Sequence, residues 1–331
     1  MMCAPLIVVR LPSVVAPCVD MKKGLLLFLL FTLPVAAQEG LAAPRNILFR
    51  SVHTLKREDP KDKIDVRIAL PVTIRGKQKI HRVRFVPEPS QLIQEEGRVY
   101  GEWVWDRPEP IKIHVEVLAE LYPHALADPP VRPEPLPAKQ REAYLLAGKG
   151  QPVGHPKIQA LAAKAEGAAQ SEELLLSLID VVKEQLSYEG YIDEDQGALG
   201  ALKSGKGDCT DYSDLLVSLC RQRGLPARSR LCLLLETEDT PLHSVIEVYL
   251  PQRGWVTVDP LFAARNPGKS KQLPSPYLYL STTRDDPTMH GYFSDKAYWI
   301  YSENKATDFN TELKLMERRA DGETRSRVFS Y

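Results

Sequence analysis

The sequence predicts an α+β protein in which a helix bearing a cysteine packs on an antiparallel sheet, preceded by a small β-sandwich. Three observations carry this reading. Apolar and polar residues alternate in short runs through the first third of the chain, a proline-dense stretch follows, and beyond it the apolar period lengthens to that of amphipathic helices before strand-like runs return. At 331 residues the chain is long enough for two compact units plus non-structural sequence.

The N-terminal segment stands outside both units. Met21-Lys22-Lys23, the apolar run after it and Val35-Ala36-Ala37 have the charged, apolar and small-residue order of a secretory signal, with cleavage expected after Ala37. The apolar run is shorter than the roughly 20 residues that cross a bilayer as a permanent helix. Residues 1–37 are therefore read as a signal peptide with a start placed too far upstream, and no stable transmembrane segment is expected after cleavage. This places the mature protein in the periplasm or outside the cell; an uncleaved anchor is the alternative.

Residues 38–122 read as the β-sandwich-like N-terminal domain. Ile64-Asp65-Val66-Arg67-Ile68 and Ile111-Lys112-Ile113-His114-Val115-Glu116-Val117 alternate as half-buried antiparallel strands do, and 79–86 and 98–105 add two more. Residues 123–138 carry too many prolines for a backbone ladder and are read as a linker. Residues 139–331 form the second domain. It opens with Ile158, Leu161, Ala162 and Ala165, then Leu174, Leu175, Leu178, Ile179, Val182 and Leu186, at helical spacing.

Lys+Arg and Asp+Glu are both 43, so no global positive field is present to hold nucleic acid, which is not expected as a partner. Cleavage of the signal removes Cys3 and Cys18 and leaves Cys209, Cys220 and Cys232, an odd number for an exported protein. No spacing typical of a zinc site occurs, and no metal or other cofactor is implied.

The informative stretch runs from Gly205-Lys206-Gly207-Asp208-Cys209 to Arg223-Gly224-Leu225-Pro226. Asp208 is a favoured N-cap, Asp211 and Asp214 are acids in the early turns, and Gly224 with Pro226 closes the helix. Cys209 falls at the first helical position, where free backbone N–H groups and the helix dipole favour the thiolate. Cys220 and Cys232 sit in apolar series and read as core residues or as a mutual disulfide.

A thiolate nucleophile needs a base, and His243 is the next candidate. In Leu242-His243-Ser244-Val245-Ile246-Glu247-Val248-Tyr249-Leu250 the residues Ser244, Ile246, Val248 and Leu250 share one face, and His243, Val245, Glu247 and Tyr249 the other. After a short turn, Trp255-Val256-Thr257-Val258-Asp259 returns antiparallel. A four-residue loop at 251–254 would pair Ile246 with Asp259 and put the carboxylate on the wrong face. An odd or bulged loop pairing Tyr249 with Trp255 puts Val245 opposite Asp259 and His243 on the same side. The odd loop is expected, with Asp259 orienting His243.

These blocks resemble the transglutaminase-like superfamily, whose core is built like that of papain-type cysteine proteases. The match is Gly207-x-Cys209 with the helix end 223–228, His243 leading to Glu247-Val248-Tyr249, and Gly254-Trp255-Val256-x-Val258-Asp259-Pro260, over about residues 170 to 262. A β-rich region ahead of such a core also looks like exported bacterial members. The resemblance implies Cys209 as nucleophile, His243 as base and acid, and Asp259 as orienter. Many members carry an aromatic residue, usually Trp, two places after the His, where this chain has Val245. The Cys209 N–H is a candidate oxyanion donor; Gln185, Tyr188 and Tyr191 are candidates for the second, though each reads more readily as packing or surface.

The implied chemistry is thiol-dependent acyl transfer or hydrolysis on protein or peptide amides, as a protease, amidase or transglutaminase. The competing reading is a catalytically silent binding or assembly module on the same fold.

Overall fold

The structure is a computed structural model that describes residues 44–57, 64–95, 98–105, 111–130, 133–192, 194–235, 242–273, 277–280, 284, 298–302, 307–318 and 324–330. The signal expected at 21–37 lies outside these residues. Among the described residues no helix is long and apolar enough to cross a membrane.

Among the described residues six strands come first: β1 (Arg45–Arg57), β2 (Ile64–Ala69), β3 (Gln78–Val86), β4 (Gln91–Glu95), β5 (Arg98–Trp105) and β6 (Ile111–Leu121). Their burial alternates as the sequence does. Ile64, Val66 and Ile68 are buried in β2 while Asp65 and Arg67 are half-buried, and β6 buries Ile113, Val115, Val117, Ala119 and Leu121. The apolar faces meet Ile47, Phe49 and Trp103 in one cluster.

Next come α1 (Ala138–Ala143), α2 (Pro156–Ala162), α3 (Glu172–Gln185), β7 (Ser187–Tyr188), α4 (Gly197–Ser204), β8 (Lys206–Gly207) and α5 (Cys209–Gln222). β9 (Ala227–Leu234), β10 (Leu242–Leu250), β11 (Gly254–Val258), α6 (Pro260–Arg265) and β12 (Tyr277–Tyr279) complete the second layer. The sheet runs β11-β10-β9-β12, antiparallel throughout. One face presents Ile246, Val248, Leu250, Val256 and Val258 to Leu174 and Leu178 of α3 and Leu215, Leu216 and Leu219 of α5. Each leucine buried there contributes about 2 kcal/mol. This is the α+β core, a cysteine-bearing helix on an antiparallel sheet.

Cys220 lies in that helix–sheet core and Cys232 on the opposite face of the sheet with Val245, Tyr277 and Tyr279. Both thiols are free, so of the two readings core packing describes them and a mutual disulfide does not.

The last strands are β13 (Tyr298–Ser302), β14 (Thr307–Arg318) and β15 (Thr324–Ser330). They complete the N-terminal sheets: β13 pairs with β2, β14 pairs with β1 from Asn46↔Arg318 to Arg57↔Thr307, and β15 extends β14. The resulting orders are β15-β14-β1-β6-β3 and β13-β2-β5-β4. The sequence reading grouped everything from 139 to 331, whereas the strands after 298 hydrogen-bond to strands from the start of the chain. Local periodicity marks a strand but does not name a partner 272 residues away, as for Arg45 and Glu317, whose side chains meet at 2.6 Å.

Within the proline-rich stretch, residues 126–128 are docked on the second half of the chain. Arg253 Nη2 donates to the carbonyls of Leu126 (2.8 Å) and Asp128 (2.6 Å), the Ala127 amide donates to the Lys271 carbonyl, and Leu126 is buried in the helix–sheet core.

Candidate active site

Cys209 is the first residue of α5. Asp208 caps the helix, its Oδ1 accepting from the amides of Thr210 (2.8 Å) and Asp211 (3.3 Å), while the Asp211 carboxylate accepts from the Asp208 amide (3.1 Å). This reciprocal capping box satisfies the second and third amides of the helix. No hydrogen bond engages the first, that of Cys209, among the described residues. At the other end Gly224 takes φ 75°, its amide bonds the Arg221 carbonyl and the Leu225 amide reaches back to Cys220, a Schellman closure. Asp211 sits in this cap, where burial pushes its pKa up to about 7. Asp214, one turn on, is wholly buried, accepts a hydrogen bond from Gln151 (2.7 Å) and is ion-paired with Arg284 (2.8 Å).

The β10–β11 register is the odd one: Tyr249 pairs with Trp255 and Leu250 with Gly254. Gly254 has φ 73°, the left-handed conformation that closes such a turn with little strain only in glycine. His243 and Asp259 are thereby brought to the same side, and His243 Nε2 lies 2.8 Å from Asp259 Oδ2. Cys209 lies near enough to the same imidazole to help raise its pKa, and with Nε2 taken by Asp259 the other ring nitrogen is Nδ1.

Asp259 is held from three directions. As N-cap of α6 its Oδ1 accepts from the Phe262 amide (2.9 Å), and its Oδ2 accepts from His243 and from the Tyr277 hydroxyl (2.7 Å). Burial would raise its pKa, but the charge and hydrogen bond of His243, with those of Phe262 and Tyr277, hold it below the ordinary carboxylate value. Burial would likewise lower His243; the Asp259 carboxylate beside it, helped by Cys209, outweighs this and holds the imidazole well above its usual value. Burial and the adjacent carboxylate push Tyr277 well up, so it stays a donor.

Tyr277 was absent from the sequence reading. It sits on β12, two strands from His243 in sheet order, and only an alternating Tyr277-Leu278-Tyr279 run marks the strand. Val245, which replaces the aromatic residue of many transglutaminase-like proteins, is fully buried against Cys232, Tyr277 and Tyr279. Tyr188 and Tyr191 are exposed, and Tyr188 lies on β7, paired with Gly207 just before Cys209, its ring under the Arg265 guanidinium at 4.9 Å. Gln185 ends α3 and is half-buried. Among the described residues no group of three or more His, Cys, Asp or Glu is placed to hold a metal ion.

A family model described as the transglutaminase-like superfamily matches residues 159–260, the span that carries all three residues of this cluster. Residues 159–260 are thus similar in sequence to the transglutaminase-like superfamily. Among solved structures, that of a candidate cysteine protease from Cytophaga hutchinsonii superposes with a TM-score of 0.58 at 14% identity, covering 88% of this chain and 92% of its own. The periplasmic domain of TgpA from Pseudomonas aeruginosa aligns at a TM-score of 0.38 and 16% identity over 66% of this chain and 92% of that one. The uncharacterized protein YebA of Bacillus subtilis (strain 168) is 30% identical over 91 residues, a match that spans 23% of this chain and only 12% of YebA.

Proposed function

We propose that this is an exported thiol enzyme that cleaves or transfers the acyl group of protein or peptide amides through Cys209, His243 and Asp259. The observation that carries the reading is the His243–Asp259 pair at 2.8 Å, with Cys209 at the helix N-terminus near enough to the same imidazole to act on its protonation. Export rests on the signal-like order of 21–37.

In the proposed cycle His243 Nδ1 takes the thiol proton and the sulfur attacks the amide carbonyl carbon, moving the carbonyl π pair onto oxygen. The open Cys209 amide at the helix N-terminus meets that oxyanion. Collapse breaks the C–N bond, the amine leaves with the proton held by His243, and a thioester to Cys209 remains. Water then attacks the thioester carbon with its proton taken by His243, the C–S bond breaks, the Cys209 sulfur leaves and recovers that proton, and the acid is released; a primary amine in the same place yields a new amide.

Asp259 keeps the ring oriented and compensates the imidazolium, and its own fixing by Phe262 and Tyr277 leaves it little freedom. Val245, at the position where many transglutaminase-like proteins carry an aromatic residue, is buried, and His243 and Asp259 still meet at 2.8 Å. Digestion of a peptide library with a parallel amine-incorporation assay tests the proposal. Cleavage or incorporation by the parent and none by a cooperatively folded Cys209→Ala is expected; normal turnover in that variant overturns the assignment.

A further inference from the structure

A second polar cluster lies on the same face of the sheet as His243, four residues further along β10 and so about 13 Å away. Glu247 is fully buried there and is met by three cations. Its Oε1 takes Lys77 Nζ at 2.5 Å, and its Oε2 takes Arg228 Nε at 2.8 Å and Arg230 Nη2 at 2.9 Å. Lys77 and Arg230 are themselves nearly buried, with side chains 6% and 8% exposed.

The cluster forms one wall of a cavity of about 600 Å³ that none of Cys209, His243 and Asp259 lines. Other cations at its wall have partners: Arg75 pairs with Glu134, Arg253 with Glu172, and Arg284 with Asp195 and Asp214. At Glu247 three cations share one carboxylate, so the wall there is positive. Burial lowers the Lys77 pKa, yet with that proton gone two guanidiniums still face a single negative charge.

The geometry leaves donors to spare. Arg228 spends Nε on Glu247 and Nη1 on the Tyr144 hydroxyl (3.0 Å), and Arg230 spends Nε and Nη2 on Glu247. Arg228 Nη2 and Arg230 Nη1 make no hydrogen bond among the described residues. Arg228 also lies over the Trp255 ring, its guanidinium carbon 4.2 Å from the centroid, a contact that restrains its donor fork. Uncompensated charge at a low-dielectric wall is costly, and a rigid guanidinium pair is the arrangement that binds oxyanions bidentately.

We propose that this cavity is a second site, separate from the thiol centre, that binds the oxyanion group of a small multiply charged ligand, a phosphate or a carboxylate, between Arg228 and Arg230. The proposal does not depend on the catalytic reading.

Titration calorimetry of the mature chain with inorganic pyrophosphate and with citrate, at ionic strength matched by sodium chloride, tests it and separates the two oxyanion chemistries. One molecule bound per chain is expected for at least one probe, weakened about tenfold or more by Arg230→Gln. Because that substitution also disturbs the buried Glu247, Ala147→Glu serves as a second variant: Ala147 is an exposed residue at the cavity wall, and a carboxylate there should weaken binding several-fold without touching the cluster. Absence of binding by both probes above the chloride control, or binding unchanged by Ala147→Glu, overturns the proposal.

Discussion

Tyr277 illustrates how much of the candidate site rests on a single hydrogen atom. Its hydroxyl donates to the Asp259 oxygen that also receives His243, so Tyr277→Phe leaves a buried carboxylate one donor short while keeping the ring packing. A hydrogen bond to a charged group contributes about 1.5–3 kcal/mol. We expect Tyr277→Phe to lower the urea-unfolding free energy by about that amount and to reduce turnover in part, where Asp259→Asn reduces it further. The pH dependence is signed. His243 is raised on folding, so its contribution is complete below its unfolded value of about 6.5 and is lost as pH rises through the folded value. Asp259 is depressed, so its contribution is complete above about 4 and is lost as pH falls through the folded value. The stability difference between the parent and Asp259→Asn should therefore be largest between about pH 4 and 6.5 and shrink on both sides, as read from urea midpoints across pH. Of these residues Cys209, His243 and Asp259 could be nominated from the sequence because each belongs to a local pattern: a cap, a strand face, a hairpin return. Tyr277 could not, because what gives it meaning is a neighbour 18 positions away that only strand order brings close.

Among elements, the β10–β11 hairpin decides whether any of this chemistry can assemble. A one-residue slip would turn Asp259 to the helix side of the sheet. Gly254 holds the register at φ 73°, and a Cβ there would meet nothing closer than 3.5 Å, at Pro133, so the cost of substitution is conformational and not steric. Gly254→Ala should lower stability by about 1 kcal/mol, measured by denaturant unfolding, with no loss of hydrogen bonds elsewhere. A much larger loss accompanied by inactivity would mean that the hairpin had changed register. The helix was equally legible, since Asp208, Gly224 and Pro226 are terminus signals that act over one turn. The cations about Glu247 were not. Lys77, Arg228 and Arg230 come from two different strands or their approaches, and each read alone is an ordinary surface residue.

At the scale of the molecule, residues 41–331 make one compact unit, and the apolar cluster of the first sheets takes in Leu233 and Leu278 from the second-half sheet. Strands and helices were readable as kinds, but their division between two bodies at 139 was not, because sheet membership is set by which edges lie open and not by chain order. Removing residues 303–331 should expose the edge of β1 along the whole of its pairing with β14. Open edges of that length recruit other chains. Such a truncation should elute as aggregate in size-exclusion chromatography and lose its cooperative thermal transition. The same pairing also sets an order in time. β1 leaves the ribosome 272 residues before the glutamate that closes on Arg45, and contacts that distant slow folding because the loop must be closed before it is rewarded. The N-terminal strands thus cannot settle as a finished domain while the rest is being made. The chain must wait, unfinished, for its own far end.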